Sequence, residues 1–328
     1  MRLAILAAKE PVYRDAAAGL ARTVRDRFPD VPLRAELGLP PPDVLILVGD
    51  DRFVLDTLGR VPSSSAVFVV GDGFLSEVPP AGAEGGLRKV LAGGHWIEER
   101  LRLSVSVGGR ALPPALNEVA LLTSRGGGFL RYSLEIDGER VWRDGGDGVV
   151  VATPTGSTGY GLSAGGPVMM ENAETVVVVP VCSSNGQRPL VVPRQSVIGI
   201  SEIESRLSCD LVLDGRERVR AKGAGFTVRS SGHPARFVRL GKARYLQVFG
   251  KLRAKQTGRG VPAEAPPSAK FLFRLLEDEG PLTERQLIAE SGLPERTVRN
   301  ALRYMQDGNL VRRSRSLRDA REAIFSLP

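Results

Sequence analysis

The sequence predicts an α/β N-terminal domain, a β-rich second domain and a small α+β C-terminal domain. Three observations predict this. The continuous apolar run Val44-Leu45-Ile46-Leu47-Val48 suits a parallel strand covered on both faces. Strict alternation of apolar and polar residues sets in from Arg100, as in half-buried antiparallel sheet. Helical apolar spacing returns from Lys270, behind a stretch with almost no apolar bulk. The expected boundaries are 1–97, 98–253 and 270–328, with a linker at 254–269.

In chain order, Leu3-Ala4-Ile5-Leu6-Ala7-Ala8 reads as a buried strand, and Asp15 to Phe28 as a helix with Ala18, Leu20, Ala21, Val24 and Phe28 on its apolar side. After Pro40-Pro41-Pro42, the strand at Val44 ends on Gly49-Asp50-Asp51, and a further strand from Ala66 to Val70 runs into Gly71-Asp72-Gly73. Loops at the carboxyl ends of such strands are where α/β folds bind ligands. In the second domain Leu101, Leu103, Val105 and Val107 face one way, while Arg102, Ser104 and Ser106 face the other. Short strands follow at 132–136, 149–152, 176–179, 197–200, 211–213 and 237–240, separated by turns such as Asp137-Gly138 and Asp214-Gly215. Gly258, Gly260, Pro262, Pro266 and Pro267 mark the linker.

The chain has 328 residues, 42% hydrophobic and 25% charged, which is ordinary globular composition with room for two or three units. A formal net charge of +8 and a pI near 9.9 favour an anionic partner: nucleic acid, nucleotide phosphate or an acidic membrane surface. Charge alone does not choose among them. Cys182 and Cys209 have no paired spacing and no histidine nearby, so neither a disulfide framework nor a zinc or other metal site is expected, and both read as packed thiols. The apolar run Met1 to Ala8 is broken by Lys9 and Glu10, too short for a secretory signal or a membrane span. A cytoplasmic protein without a membrane partner is expected.

The densest feature is Thr153-Pro154-Thr155-Gly156-Ser157-Thr158-Gly159-Tyr160-Gly161-Leu162-Ser163-Ala164-Gly165-Gly166-Pro167, directly after a strand. Glycines let backbone approach a ligand, hydroxyls supply donors and acceptors, and Tyr160 offers a stacking face. The order of residues resembles the TPTGSTAYSLSAGGP motif of NAD kinases. Leu116-Asn117-Glu118-Val119, Asp147-Gly148-Val149-Val150-Val151 and Arg188-Pro189-Leu190-Val191-Val192 resemble that family's LNEV, DGVIV and RPLVV segments. Gly73-Phe74-Leu75-Ser76-Glu77, Ile97-Glu98-Glu99-Arg100 and Leu213-Asp214-Gly215 fall in the family's order, so the resemblance spans residues 1–253. It implies an N-terminal domain of phosphofructokinase-like topology and a β-rich domain carrying the dinucleotide site. It further implies that Asn117 and Glu118 hold the ribose and nearby polar groups, that Tyr160 packs on the dinucleotide, and that Asp147, Thr158 and Ser163 add hydrogen bonds. A turn role for Asp147 and a surface role for Glu118 are the plain alternatives.

At the catalytic end the chain departs from the pattern. In the family a GGDG aspartate is the general base on the adenosine ribose hydroxyl. Its counterpart here is Asp50 in Val48-Gly49-Asp50-Asp51-Arg52, where the outer glycines are replaced. The literal Gly145-Gly146-Asp147-Gly148 is a decoy, because it immediately precedes the strand before Thr153. Asp51 is expected to set a carboxylate where a triphosphate should lie. At ~4 Å such a pair repels by roughly 1 kcal/mol in water and about 4 kcal/mol at an effective dielectric near 20, a slowing on the order of a thousandfold at the upper figure. Pro180-Val181-Cys182-Ser183-Ser184 also departs from the proline-histidine pair common in the family.

In the C-terminal domain Phe271, Leu272, Leu275 and Leu276 have helical spacing up to Gly280-Pro281. Thr283 with Gln286 caps a second helix, and Glu295 to Gln306 forms a third with Val298, Leu302 and Met305 inward. Arg296, Arg299, Asn300 and Arg303 face outward, and Arg312, Arg313, Arg315 and Arg318 lie on a following basic hairpin. The pattern resembles the winged helix of MarR- and ArsR-like regulators. These eight residues are the expected contacts to double-stranded DNA. The reading that follows is a DNA-binding transcription regulator that senses NAD(P) or a related nucleotide, built as a homodimer or homotetramer. The alternative is an active NAD kinase, using ATP and Mg²⁺, with an appended winged-helix regulatory domain.

Overall fold

The computed structural model describes residues 1–124, 128–221, 225–241, 265–291, 293–308, 310–315 and 323–327, the side chains of 277, 278 and 315 excepted. The chain divides into two compact units, Met1–Tyr245 and Leu246–Pro328. The expected linker at 254–269 lies largely outside the described residues, as does Arg318.

The first unit begins with a six-stranded sheet. Strands Leu33–Arg34, Leu3–Ala7, Val44–Val48, Ala66–Val70 and Ala235–Arg239 run parallel, and Trp96–Arg100 closes the far edge antiparallel. Every residue of Val44–Val48 and of Ala66–Val70 is buried, because the sheet is covered on both sides. Val44, Ile46, Val48, Ala66, Phe68 and Val70 pack with Leu20, Val24, Leu87 and Val90 of helices Pro11–Arg27 and Ala83–Leu91. The alternate residues Leu45, Leu47, Val67 and Val69 pack with Val54 and Leu58 of helix Asp51–Leu58, and with Leu116 from the next part of the chain.

Two further six-stranded antiparallel sheets form a sandwich. One has the order Glu139–Gly146, Leu130–Ile136, Ile198–Ser205, Phe226–Ser230, Leu103–Val107, Arg110–Ala111. The other has the order Leu190–Pro193, Thr175–Val181, Gly148–Ala152, Glu118–Thr123, Cys209–Leu213, Glu217–Ala221. Leu103, Val105, Tyr132, Leu134 and Val228 of one meet Val119, Leu121, Val149, Val151 and Val178 of the other. The second sheet's outer face, Ala120, Val150, Ala152, Val177 and Val179, is covered by Met169 at the end of the loop that starts at Thr153. That second cover accounts for the unbroken apolar runs at Val149 and Val176.

The second unit has helices Pro267–Glu279, Glu284–Ser291 and Glu295–Asp307 and a three-stranded sheet in the order Leu282–Thr283, Ala323–Ser326, Arg312–Arg315. Val298, Ala301, Leu302 and Met305 of the third helix pack with Leu272, Leu276, Leu287 and Phe325. Thr283 and Gln286 form the reciprocal cap: the Thr283 N–H donates to Gln286 Oε1 at 2.9 Å and the Gln286 N–H to Thr283 Oγ1 at 3.3 Å. Arg296, Arg299, Asn300, Arg303, Arg312 and Arg313 are exposed. The backbone of Arg315 lies in the strand Arg312–Arg315.

Candidate functional site

The strand Val44–Val48 delivers the chain to Gly49 and Asp50 at its carboxyl end, and the neighbouring strand delivers Gly71 beside them. The approach is close: a Cβ on Gly71 would lie 2.0 Å from the Gly49 carbonyl oxygen, so only glycine fits. Asp50 caps the helix Asp51–Leu58, its Oδ1 accepting the Phe53 N–H at 2.8 Å, and remains exposed. Asp51, expected to face a triphosphate, is turned toward the adjacent loop instead. Its two oxygens accept the amides of Phe74 at 2.7 Å and Leu75 at 2.9 Å.

The glycine-hydroxyl loop after strand Gly148–Ala152 is tied to the Leu116-Asn117 segment. Thr153 Oγ1 donates to the Leu116 carbonyl at 2.6 Å and the Thr153 N–H to the Asn117 carbonyl at 2.9 Å. A Cβ on Gly156 would lie 2.0 Å from that same Asn117 oxygen, which explains the glycine. Ser157, fully buried, donates from Oγ to the Pro154 carbonyl at 2.7 Å and accepts the Met169 N–H at 3.0 Å. The loop thus spends Thr153 and Ser157 on its own shape and leaves Tyr160 and Ser163 exposed. Thr158 and Ser163 direct their hydroxyls to carbonyls of the loop, Thr155 at 3.4 Å and Gly159 at 3.5 Å.

Asp147, Tyr160, Glu118 and Cys182 share one electrostatic neighbourhood. Partial burial raises the Tyr160 hydroxyl above its ordinary pKa, and the charges of Asp147, Cys182 and Glu118 add to it. A hydrogen bond to Asp147 raises the Cys182 thiol, reinforced by the carboxylate's charge and by desolvation. Cys182, expected as a packed thiol, is exposed and has a φ of 52°, an unusual backbone for a residue with a side chain. Cys209 is buried. Glu118 is buried, with its Oε2 3.3 Å from where a Cβ on Gly159 would stand.

One contributor escaped the sequence reading. Asp214 accepts the backbone amides of Leu116 at 2.9 Å, Asn117 at 2.7 Å and Glu118 at 3.2 Å. Burial pushes its carboxyl up while those three amides pull it down, and burial prevails. In the sequence Leu213-Asp214-Gly215 reads as a hairpin turn and as a segment in the order of the resembled family, and neither reading says which segment the carboxylate holds.

Comparisons with known proteins bear on the family and the fold. Residues 116–240 match the family described as the ATP-NAD kinase C-terminal domain. An NAD kinase of Methanopyrus kandleri is 34% identical over 219 residues, covering 65% of this chain and 77% of that protein. An NAD kinase of Methanocorpusculum labreanum is 30% identical over 262 residues, 75% of this chain and 95% of the relative. Among solved structures, an NAD kinase from Archaeoglobus fulgidus in complex with ATP superposes with a TM-score of 0.65 at 28% identity, covering 77% of this chain and 99% of its own. Yeast NADH kinase complexed with NADH shares the fold, with a TM-score of 0.66 at 21% identity over 76% of this chain and 87% of its own.

These relatives correct the expectation of a DNA-binding transcription regulator with double-stranded DNA as partner. Each is named as a kinase, and the match extends over most of each relative's length. Of the outward arginines, Arg299 is paired with Glu284 at 2.7 Å and also with Glu295. Among the described residues no helix is long and apolar enough to cross a membrane. By sequence and by the two-domain fold of residues 1–241, the chain belongs to the NAD kinase family.

Proposed function

We propose that the protein is an ATP-dependent NAD kinase, transferring the terminal phosphoryl group of ATP to the adenosine ribose hydroxyl of NAD to give NADP and ADP. The observation that carries this reading is the joint presence of Asp50 at the carboxyl end of strand Val44–Val48 and a glycine-hydroxyl loop built onto Asn117. In this reading Asn117, Glu118 and Asp147 hold the ribose and its surroundings, and Tyr160 gives the dinucleotide a ring to rest on. Thr158 and Ser163 supply hydroxyls at the rim. Asp50 takes the proton of the attacking hydroxyl, which is the one step that needs a base. The relatives support the two substrates by their own descriptions: they are named NAD kinases, and one is solved in complex with ATP.

Asp51 does not oppose this chemistry as a bare charge would. A carboxylate that accepts two backbone amides has its charge partly compensated before any phosphate arrives. The C-terminal unit is read as a winged helix appended to the enzyme as a regulatory module, on the strength of its three helices and three-stranded sheet. The experiment is direct: the unmodified chain should form NADP from NAD and ATP, and Asp50→Asn should abolish this with NAD affinity retained. An Asp50→Asn variant as active as the unmodified chain would remove Asp50 from the role of base.

A further inference from the structure

The turn Leu213-Asp214-Gly215-Arg216 touches both halves of the proposed site. It is a tight hairpin, closed by the Arg216 N–H on the Leu213 carbonyl at 2.9 Å, with positive φ at Asp214 (50°) and Gly215 (68°). To one side Asp214 gathers the amides of Leu116, Asn117 and Glu118, and its own N–H returns to the Glu118 carbonyl at 2.9 Å. To the other side Arg216 donates to the Arg52 carbonyl and pairs with Asp56. Arg52 and Asp56 belong to the helix whose cap is Asp50. One four-residue turn therefore grips the start of the catalytic helix and the dinucleotide segment, which come from different sheets.

From this juxtaposition we infer that Asp214 and Arg216 are positioning residues for phosphoryl transfer, fixing the Asp50 carboxylate in register with the ribose held at Asn117 and Glu118. The inference rests on the kinase reading above. Neither residue touches a reacting atom. Asp214 shapes the segment that binds the dinucleotide, so its loss should appear in NAD affinity. Arg216 sets where the base stands, so its loss should appear in turnover. A misplacement of about 1 Å at a reacting group costs on the order of a hundredfold in rate, whereas binding to a segment left in place is unaffected.

The test uses the full chain with Arg216→Met, Asp56→Asn, the pair together, and Asp214→Asn. For each, kcat and KM for NAD and ATP are measured, with NAD affinity by calorimetry without ATP and the melting temperature. Asp56 is half exposed, so Asp56→Asn probes the same contact with little risk to folding. Arg216→Met should lower kcat by roughly 10- to 100-fold with NAD affinity within about twofold. Asp56→Asn should lower kcat in the same sense, and the pair should be no worse than Arg216→Met alone. Asp214→Asn should weaken NAD binding about tenfold or more. Unchanged kcat in Arg216→Met, or kcat and NAD affinity falling together in step with melting temperature, would overturn the inference. If the unmodified chain binds NAD but makes no NADP, the kinase reading fails by itself. The turn is then judged on NAD affinity, and an Asp214→Asn variant that binds NAD as tightly as the unmodified chain overturns it.

Discussion

A carboxylate that accepts backbone amides is already solvated by the protein, and its removal is felt first in stability. Asp51 is in that state, with Phe74 and Leu75 as donors. Asp51→Gly should destabilise the protein by about 2 kcal/mol, through two amides left unpaired, without raising NADP formation. A thermal melt and a rate assay on one preparation check this, and a gain in rate at unchanged stability would restore the view of Asp51 as an obstacle. Tyr160 makes the opposite case, because its side chain is exposed. Tyr160→Ala should weaken NAD binding roughly tenfold while leaving the melting temperature in place, read by calorimetry. The sequence shows that Asp51 replaces a glycine and that Tyr160 sits in a defined motif. It does not show that Asp51 folds back on residues 74 and 75, since that contact spans 23 positions and depends on Gly73, where a Cβ would stand 2.0 Å from Asp51 Oδ1.

At the scale of elements, burial on both faces writes itself into the sequence and polar edges do not. Val44–Val48 and Ala66–Val70 are legible as unbroken apolar runs because each face meets its own core. Strands Glu139–Gly146 and Glu217–Ala221 are edge strands, rich in charge, and give no run to read. Helix Ala83–Leu91 hides for another reason: Gly85 and Gly86 each cost about 1 kcal/mol of helix propensity relative to alanine. Gly86 is required by packing, since a Cβ there would lie 2.7 Å from the Phe68 ring. Helix Pro11–Arg27 starts four residues before the expected Asp15, because Pro11 is well suited to the first helical position. In the second unit the reciprocal Thr283–Gln286 cap sets the start of helix Glu284–Ser291. Thr283→Ala should cost about 1 kcal/mol in that unit, read as a shift in its unfolding by chemical denaturation, and no shift would mean the cap is ornamental.

At the scale of the molecule, the parallel sheet and the sandwich are joined by a buried ion network as well as by Leu116. Arg100 pairs with Glu98 at 3.0 Å and with Glu171 at 2.7 Å, and Arg239 pairs with Glu98 at 2.7 Å and Glu77 at 3.2 Å. Both guanidiniums lie 5.1 Å from the Phe237 ring centroid. Burial pushes the Glu98 carboxyl up, but the charges and hydrogen bonds of Arg100 and Arg239 outweigh it and hold it below its ordinary value of 4.5. Stability from such a group is present above that value and is lost as pH falls through the depressed folded value. Melting temperature should therefore drop as pH is lowered below 4.5, and Glu98→Gln should flatten that slope while costing up to about 3 kcal/mol at neutral pH. An unchanged acid slope in the variant would contradict the account. Charge also explains why function was only half legible: a net charge of +8 suits a triphosphate or a dinucleotide as well as a nucleic acid, and Arg299 reads as free until Glu284 and Glu295 are seen beside it.

The measurement that bears most directly on the whole account is NADP formation by the purified full chain. With NAD and ATP supplied, it should produce NADP and ADP in equal amounts, and Asp50→Asn should stop both while still binding NAD. A folded chain that binds NAD yet yields no NADP from ATP, with Asp50 intact, would contradict the central claim that this site transfers a phosphoryl group.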